Sequence, residues 1–300
     1  MKPRAAVLML SYNDSLTIAE AVRSVRAQAR QHELAAVVLA DDASRDDTVM
    51  KARAAAGERL HLSVLPTPHN FGPWPNLNRA LHHVGKLADW ALILHADDLA
   101  TEGWLDVLLT RIDQCDEQVA SISTSWDMLY HDGVDATGER HDDVVRIIPG
   151  SREAVHDTLL NGCWWKISGA AIRLEAFREI GDFDASVPQC ADWDWTMRAL
   201  ERGWSFEYIP RVHTIYRQHE ATMSTAALRG DVDIMDALTM LDRFGYTLKK
   251  REVLRYHARR GKYALRRMVR GVMKADRGRV ATSLKTITVL SRHLIKRLAA

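Results

Sequence analysis

The sequence predicts a doubly wound α/β fold, with a mostly parallel sheet flanked by helices, followed by a helical C-terminal extension. Two observations predict the sheet: short apolar runs alternate with amphipathic segments over residues 5–98, and polar clusters follow three of these runs. Continuous apolar runs are typical of buried parallel strands, and their alternation with helices is typical of α/β sheets. A third observation predicts the extension, because the chain after Ser224 has helical periodicity throughout.

The first half of the chain contains the clearest elements. The first apolar run, residues 5–10, indicates a buried strand, and Ser15 is a suitable cap for the helix that follows it. The predicted elements are, in order, strand 5–10, a helix from Ser15, strand Ala35–Ala40, strand Leu60–Leu65, helix Asn76–Leu87 and strand Trp90–Leu94. They form two successive strand–helix–strand units, which predicts a parallel sheet.

The second half contains shorter predicted elements. They are strands Ser121–Trp126, Gly169–Ile172, Phe206–Ile209 and Val212–Arg217, and a helix at Asp192–Arg202. Beyond Ser224, one apolar helical stripe is made by Leu265, Met268, Val269, Val272 and Met273, and a second by Val280, Leu284, Ile287, Leu294 and Leu298. We therefore predict a catalytic domain at residues 1–224 and a basic helical region at residues 225–300.

Composition narrows the class of protein. The 300 residues are 47% hydrophobic and 27% charged, which is typical of a globular protein with a sizeable core. The N-terminal apolar run is too short for a secretory signal, and no run is long enough for a spanning helix, so we expect a cytoplasmic protein. The three cysteines lack metal-ligand spacing, which favours buried thiols over a disulfide framework or a zinc site.

The charge is divided unevenly along the chain. Residues 249–300 hold 17 Lys and Arg against two acids and carry +15, whereas residues 1–248 carry −13. The simplest interpretation is a solvated face on helices packed against the body. A second is attachment to an anionic inner membrane leaflet. Nucleic-acid binding is the least favoured, because the tail has few interleaved aromatic residues and no recognition module.

Three polar clusters follow strands of the predicted sheet, at Ser11–Asp14, Asp41–Asp47 and His95–Asp98. Ligands of open α/β sheets bind beyond the carboxyl ends of the strands, so we expect the three clusters to share one site. The adjacent carboxylates Asp97 and Asp98 are suited to Mg²⁺ or Mn²⁺. Turn formation or helix capping is the alternative role for the second and third clusters.

These clusters and their order resemble glycosyltransferase family 2 over about residues 5–224. The matching segments are Leu10–Asn13, the Asp-Asp-x-Ser-x-Asp-x-Thr string at Asp41–Thr48, Asn70–Gly72 with Asn78-Arg79, and His95–Asp98. The resemblance implies a GT-A fold and a nucleotide-sugar donor. It assigns donor binding to Leu10, Tyr12, Asn13, Asp42, Asn78, Asp97 and Arg217, with Asp42 at the nucleotide base.

The resemblance continues on the acceptor side, at Ser168–Arg173, Ile180–Asp184 and Ala191–Trp195. It implies that Asp192 is the base that activates an acceptor hydroxyl, with inversion at the sugar carbon; an N-cap is the alternative role for this residue. It also implies metal ligation by Asp98, Asp97 and His219. Two positions depart from the family pattern, because His95 and Ala191 stand where acids are usual.

Two further expectations concern side chains near Asp192. Trp164, Trp165 and Trp193 are candidates for stacking on an acceptor sugar, and packing in the core is their alternative role. Asp194 is spaced to pair with Arg198 one helical turn later.

Together these features predict a metal-dependent inverting glycosyltransferase. It would use Mn²⁺ or Mg²⁺ to move a sugar from a nucleotide-sugar donor to a saccharide or lipid-linked saccharide acceptor in surface polysaccharide synthesis, with peripheral attachment to the inner leaflet. One alternative is a sugar-nucleotide nucleotidyltransferase, which needs a glycine-rich phosphate loop that Leu10–Asp14 does not provide. The other is a catalytically degenerate binding or scaffold protein, for which His95 and Ala191 are the motivation.

Overall fold

The computed structural model describes residues 3–130, 132–140, 144–218 and 231–299. The strands are β1 (Ala5–Ser11), β2 (Ala36–Asp41), β3 (Leu62–Pro66), β4 (Trp90–His95), β5 (Leu99–Ala100), β6 (Val119–Tyr130), β7 (Gly133–Asp135), β8 (Arg146–Ile148), β9 (Ala171–Arg173) and β10 (Ser205–Arg217). The α-helices are α1 (Ile18–Arg26), α2 (Thr48–Ala56), α3 (Pro73–Val84), α4 (Trp104–Gln114), α5 (Arg152–Asn161), α6 (Leu174–Ile180), α7 (Ala191–Glu201), α8 (Val232–Phe244), α9 (Lys250–Met273) and α10 (Arg277–Ala299).

The strands form one sheet in the order β3-β2-β1-β4-β9-β6-β10-β5, with β7 on β6 and β8 on β10. The half formed by β3, β2, β1 and β4 is parallel, as predicted. The other half is mixed, because β9 runs antiparallel to both β4 and β6 while β6 and β10 are parallel. The sheet is therefore a mixed α/β sheet, parallel where the first two polar clusters lie.

Alternate residues of β1 separate the two hydrophobic layers. Ala6 and Leu8 pack into a core cluster with α3 and α7, whereas Val7 and Met9 pack into a second cluster with α1, α2 and α4. Side chains of a strand point alternately to opposite faces, so helices cover both faces of the sheet. This arrangement is the doubly wound architecture expected from the sequence.

Three elements differ from the predictions. Helix α3 begins and ends three residues earlier than predicted, at Pro73 and Val84, and the other two differences have identifiable reasons. Helix α1 begins at Ile18, and Ser15 does not cap it: the Ser15 N–H donates to Asp46 at 3.1 Å and its carbonyl accepts from Lys51 at 2.9 Å, which ties the loop to α2. The two strands predicted around residues 206–217 are one strand, β10, whose pairing with β6 is irregular between Ile209 and Val212. Pro210 stands at this irregularity and has no N–H to donate to the sheet.

The C-terminal region is helical, as predicted. Helices α9 and α10 pack together as a hairpin, and Tyr256 of α9 reaches the main core, where its hydroxyl donates to the Ala237 carbonyl at 2.6 Å. The predicted boundary at residues 224 and 225 lies outside the described residues. Within the described part of the chain, no helix is both long enough and apolar enough to cross a membrane.

A buried carboxylate joins this hairpin to α8. Asp231 is fully buried before α8, and one of its oxygens accepts hydrogen bonds from Arg267 of α9 and Arg279 of α10, each at 2.9 Å. Its other oxygen accepts from the Ser283 hydroxyl at 3.3 Å. Three helices therefore meet at a single buried anion.

The apolar stripe predicted on α9 does not face the rest of the protein. Leu265, Val269, Val272 and Met273 are exposed by 49%, 48%, 63% and 81%, respectively. The buried face of α9 is made instead by Val253, Tyr256, His257, Ala264 and Gly271. The far half of this helix thus presents apolar side chains to solvent.

Candidate active site

The loops after β1 and β2 are clamped together. Asn13 has a left-handed backbone (φ 57°), its N–H donates to the Ser44 hydroxyl at 2.9 Å, and its side-chain oxygen accepts from the Arg45 N–H at 2.8 Å. The amide oxygen predicted to bind the donor therefore holds the two loops in place. Neighbouring Tyr12 is 45% exposed and offers a free ring at the same edge, while Leu10 is half-buried against the core.

Asp42, the second acid after β2, has a structural role. Asp42 is 2% exposed, and its carboxylate accepts hydrogen bonds from the N–H groups of Phe71 and Gly72, at 2.9 Å and 2.8 Å, and from the Thr67 hydroxyl at 3.1 Å. Gly72 has φ 88°, a conformation that favours glycine. Asp42 thus fixes the loop before α3, and its predicted contact with a nucleotide base stays a prediction.

A cluster of potential metal ligands follows β4. One ligand atom from each of His95, Asp97 and Asp98 lies within 4.8 Å of the others. Asp98 is 1% exposed; one of its oxygens accepts the Arg217 N–H at 3.0 Å, and the other is buried without a hydrogen-bond partner. Buried polar atoms are rarely left unpaired, so this oxygen is suited to a cation.

The electrostatics of this cluster fit a divalent cation. Burial, followed by repulsion from Asp97, raises the pKa of Asp98 to about 7. Burial also lowers the pKa of His95, which favours the neutral imidazole that ligates metals. The two carboxylates are suited to Mn²⁺ or Mg²⁺, and the neutral imidazole is a third potential ligand. His219, the third predicted ligand, lies outside the described residues, and His95 takes a place in the cluster that the sequence did not assign to it.

Arg217 supports the metal loop. Besides the backbone bond to Asp98, its Nε donates to the Asp97 carbonyl at 2.9 Å and its Nη2 to the Glu20 carboxylate at 2.7 Å. The guanidinium predicted to neutralise a diphosphate is therefore engaged by the protein. It joins the end of β10 to α1 and to the loop after β4.

Asp192 lies at the start of α7, near the same cluster. It is half-buried and occupies the second position of the helix, whose N-cap is Cys190, so the N-cap alternative is wrong. Burial raises the pKa of Asp192 to about 6, opposed by the Trp193 N–H and, more weakly, by Lys166 and His95. A carboxylate with this pKa is ionised at neutral pH and is a stronger base than an exposed one. The predicted pairing of Asp194 with Arg198 is confirmed, at 2.7 Å.

Of two further charged residues near this site, Lys166 was not identified from the sequence, and Asp14 was named only as the end of the first polar cluster. Lys166 affects the pKa values of Asp98, Asp192 and His95, which places its ammonium among them. Burial raises the pKa of Asp14 to about 6, and repulsion from Asp97 contributes. Lys166 could not be assigned from the sequence, because only the fold brings it near these groups, whereas the position of Asp14 agrees with the expectation that the polar clusters share one site.

Three predicted contact residues are packed within the protein. The Asn78 amide is 8% exposed and exchanges two hydrogen bonds with the Phe183 backbone, at 2.8 Å and 2.9 Å, so it joins α3 to the loop before α7. Trp165 and Trp193 are 2% and 6% exposed and belong to the main core, as their alternative role predicted. Trp164 is half-buried, and its indole N–H donates to the Thr158 hydroxyl at 3.2 Å.

The family match decides the class of this site. Residues 6–129 match the family model described as Glycosyl transferase family 2. The matched segment covers less than half of the chain and includes β2 to β4 and most of β1 and β6. The match identifies this segment as similar to glycosyltransferases, and the clamped loops and the His95–Asp98 cluster lie within it. No curated protein matches the sequence.

Solved structures show the same fold over more of the chain. TarS of S. aureus, in complex with UDP-GlcNAc, is similar with a TM-score of 0.61 at 15% identity, over 98% of this chain and 92% of that one. GalNAc-T7, solved with UDP, GalNAc and Mn²⁺, is similar with a TM-score of 0.57 at 15% identity, over 80% of this chain and 48% of that one. Both are GT-A glycosyltransferases, so the predicted GT-A fold is confirmed beyond the family 2 segment.

Proposed function

We propose that the chain is a metal-dependent inverting glycosyltransferase that moves a sugar from a nucleotide-sugar donor to a hydroxyl of a saccharide or lipid-linked saccharide. One observation supports this most: the ligand cluster at His95, Asp97 and Asp98 and the carboxylate of Asp192 are linked electrostatically through Lys166. A cation site and a half-buried carboxylate near each other are suited to this transfer.

In the proposed reaction, Asp192 accepts the proton of the acceptor hydroxyl. The hydroxyl oxygen attacks the anomeric carbon from the side opposite the leaving group, so a new C–O bond forms and the sugar configuration inverts. The bond between that carbon and the diphosphate oxygen breaks, and its electron pair leaves with the nucleoside diphosphate. Asp98, Asp97 and His95 would hold a divalent cation, which would supply positive charge to the leaving diphosphate.

The structural relatives support the donor class and the metal. The UDP-GlcNAc in TarS and the UDP with Mn²⁺ in GalNAc-T7 make a nucleotide sugar and Mn²⁺ the first choices for this chain. A sugar-nucleotide nucleotidyltransferase is disfavoured because the loop at residues 10–14 contains no glycine for a phosphate-binding turn. A place in surface polysaccharide synthesis is part of the proposal.

Nucleoside diphosphates should stabilise the protein, and Mn²⁺ should increase the effect. At about 100 times its dissociation constant, a ligand contributes about 2.7 kcal/mol, which raises the melting temperature by roughly 5 °C for a chain of this size. A thermal-shift screen of UDP, GDP, ADP, CDP and dTDP, with and without Mn²⁺, measures this. In Asp98→Asn the increment from Mn²⁺ should disappear.

Asp89→Asn is the matched control, because this exposed carboxylate lies just before β4, at the opposite end of that strand from Asp98. It should keep the full Mn²⁺ increment. Absence of any stabilisation in the wild type across the five nucleotides would contradict the proposed function.

Attachment to an anionic membrane is a second part of the proposal, and it rests on the far half of α9. Its exposed apolar residues Leu265, Val269, Val272 and Met273 lie beside a stripe of exposed cations: Arg255, Arg259, Lys262, Arg266 and Arg270. A helix with adjacent apolar and basic stripes is suited to the interface of an anionic bilayer. A lipid-linked acceptor would be presented at that surface.

We expect the protein to sediment with vesicles containing phosphatidylglycerol but not with pure phosphatidylcholine. Each cation near such a surface contributes about 1 kcal/mol, so the triple variant Lys262→Gln/Arg266→Gln/Arg270→Gln should bind roughly 100-fold more weakly. A control with three exposed cations elsewhere, Arg59→Gln/Lys86→Gln/Arg178→Gln, should bind almost normally. Equal losses in the two variants would reject a specific role for α9.

A further inference from the structure

Lys166, in the segment between α5 and β9, lies against two aromatic rings. The side chain is half-buried, and its Nζ lies 3.4 Å from the ring centroid of Tyr216 and 4.6 Å from that of Trp126. Aromatic faces attract a cation but accept no conventional hydrogen bonds. Among the described residues, the ammonium has no hydrogen-bond acceptor, so its three N–H groups are not engaged by the protein.

Two carboxylates lie near the Lys166 ammonium. Asp98 and Asp192 both attract the ammonium, yet neither makes a direct ion pair with it. Burial lowers the pKa of Lys166 to about 8, so the amine is still mostly protonated at neutral pH. A half-buried ammonium with free N–H groups is suited to a ligand with negatively charged oxygens.

The proposed reaction places one such group in this position. The proton acceptor is at Asp192 and the candidate cation site at Asp98, and the diphosphate that takes up the electron pair would leave on the side of Asp98. Hydrogen bonds from an ammonium to phosphate oxygens are charge-assisted and therefore stronger than neutral ones.

We propose that Lys166 donates a hydrogen bond to the β-phosphate of the donor, and that it stabilises the negative charge which develops there as the sugar leaves. The Tyr216 and Trp126 rings hold the ammonium without neutralising it, since they provide no carboxylate. This role rests on the proposed function. It makes Lys166 a catalytic residue on the leaving-group side, opposite the base.

A phosphate oxygen at this position can also belong to a phosphorylated acceptor. The two sources differ in what Lys166 recognises: with the donor, loss of the amine weakens binding of a nucleoside diphosphate but not of the corresponding monophosphate, which lacks the β-phosphate. With an acceptor phosphate, binding of both nucleotides is unchanged.

Calorimetric titration in the presence of Mn²⁺ tests the proposal in the full-length protein. The wild type is titrated with UDP, GDP, ADP, CDP and dTDP, and the diphosphate that binds most tightly is compared with its monophosphate in each variant. Lys166→Met should weaken the diphosphate by about tenfold to a hundredfold and the monophosphate by less than about threefold, because one charge-assisted hydrogen bond is lost. Lys166→Arg should bind the diphosphate more tightly than Lys166→Met.

Methionine keeps an unbranched chain of similar length between the two rings, so Lys166→Met should fold, and thermal unfolding verifies this. Lys86→Met, at an exposed position after α3, should leave both affinities unchanged. Equal affinity of Lys166→Met and wild type for the diphosphate would overturn the assignment. If Lys166→Met keeps the wild-type affinity but shifts the pH profile of turnover, Lys166 acts only through Asp192, and the assignment is also overturned. If no diphosphate binds the wild type, the proposed function itself fails.

Discussion

Replacing Asp192 by asparagine should lower kcat by about 10² to 10⁴-fold, the usual contribution of general-base catalysis. The amide has nearly the same shape but cannot accept the acceptor proton, so substrate binding should change little. Hydrolysis of the nucleotide sugar that the thermal-shift screen indicates, assayed with Mn²⁺, provides a readout before the acceptor is identified.

The pH dependence of turnover should report the same group. Asp192 acts only when ionised, and burial raises its pKa to about 6. The rate should therefore be constant well above pH 6 and fall tenfold for each unit below it. The full wild-type profile, with stability verified at each pH, measures this dependence.

Asp157→Asn is a suitable control for Asp192→Asn, because this carboxylate is 64% exposed on α5. It should keep wild-type turnover. If the wild type hydrolyses the nucleotide sugar and Asp192→Asn hydrolyses it at the same rate, Asp192 is excluded as the base. A wild type without turnover, although it binds the nucleotide, would favour the degenerate scaffold.

Replacing Asp231 by alanine should lower the free energy of unfolding by about 3–5 kcal/mol, the range for breaking a buried ion pair by removing one partner. The change removes the carboxylate that Arg267 and Arg279 share and leaves their buried charge less well compensated. Urea unfolding followed by circular dichroism gives the difference. Limited proteolysis should cut α9 and α10 first.

Asp242→Ala provides the comparison within the same region. Its carboxylate pairs with His293 and Arg297, each at 3.0 Å, but is 57% exposed, so solvent screens these pairs. The loss should be at most about 1 kcal/mol. Similar losses of unfolding free energy in Asp231→Ala and Asp242→Ala would show that the burial of Asp231 does not increase its contribution to stability.

The parts of the fold that follow from local sequence were predictable. The first, second and fourth strands were placed correctly within a residue or two, because continuous apolar runs leave few alternatives for a buried parallel strand. The ligand cluster after β4 was predictable for a related reason, since strand ends and adjacent acids are both visible in the sequence. Asp192 could be assigned a role only through the family resemblance.

Contacts between distant segments account for what the sequence did not reveal. Lys166 lies in a stretch without regular structure, and only the packing of β6 and β10 places Trp126 and Tyr216 beside it. Asn78 looked like a ligand-binding amide, yet its partner is the backbone of Phe183, 105 residues later. Local patterns carry no information on such pairings.

The bond between the Arg217 N–H and Asp98 spans 119 residues of chain. A ribosome makes Asp98 long before Arg217, so a nascent chain that ends between them carries the metal-binding acids without the strand that positions them. The site would therefore form only late in synthesis. Shorter translation products would contain its acidic residues without the strand that positions them.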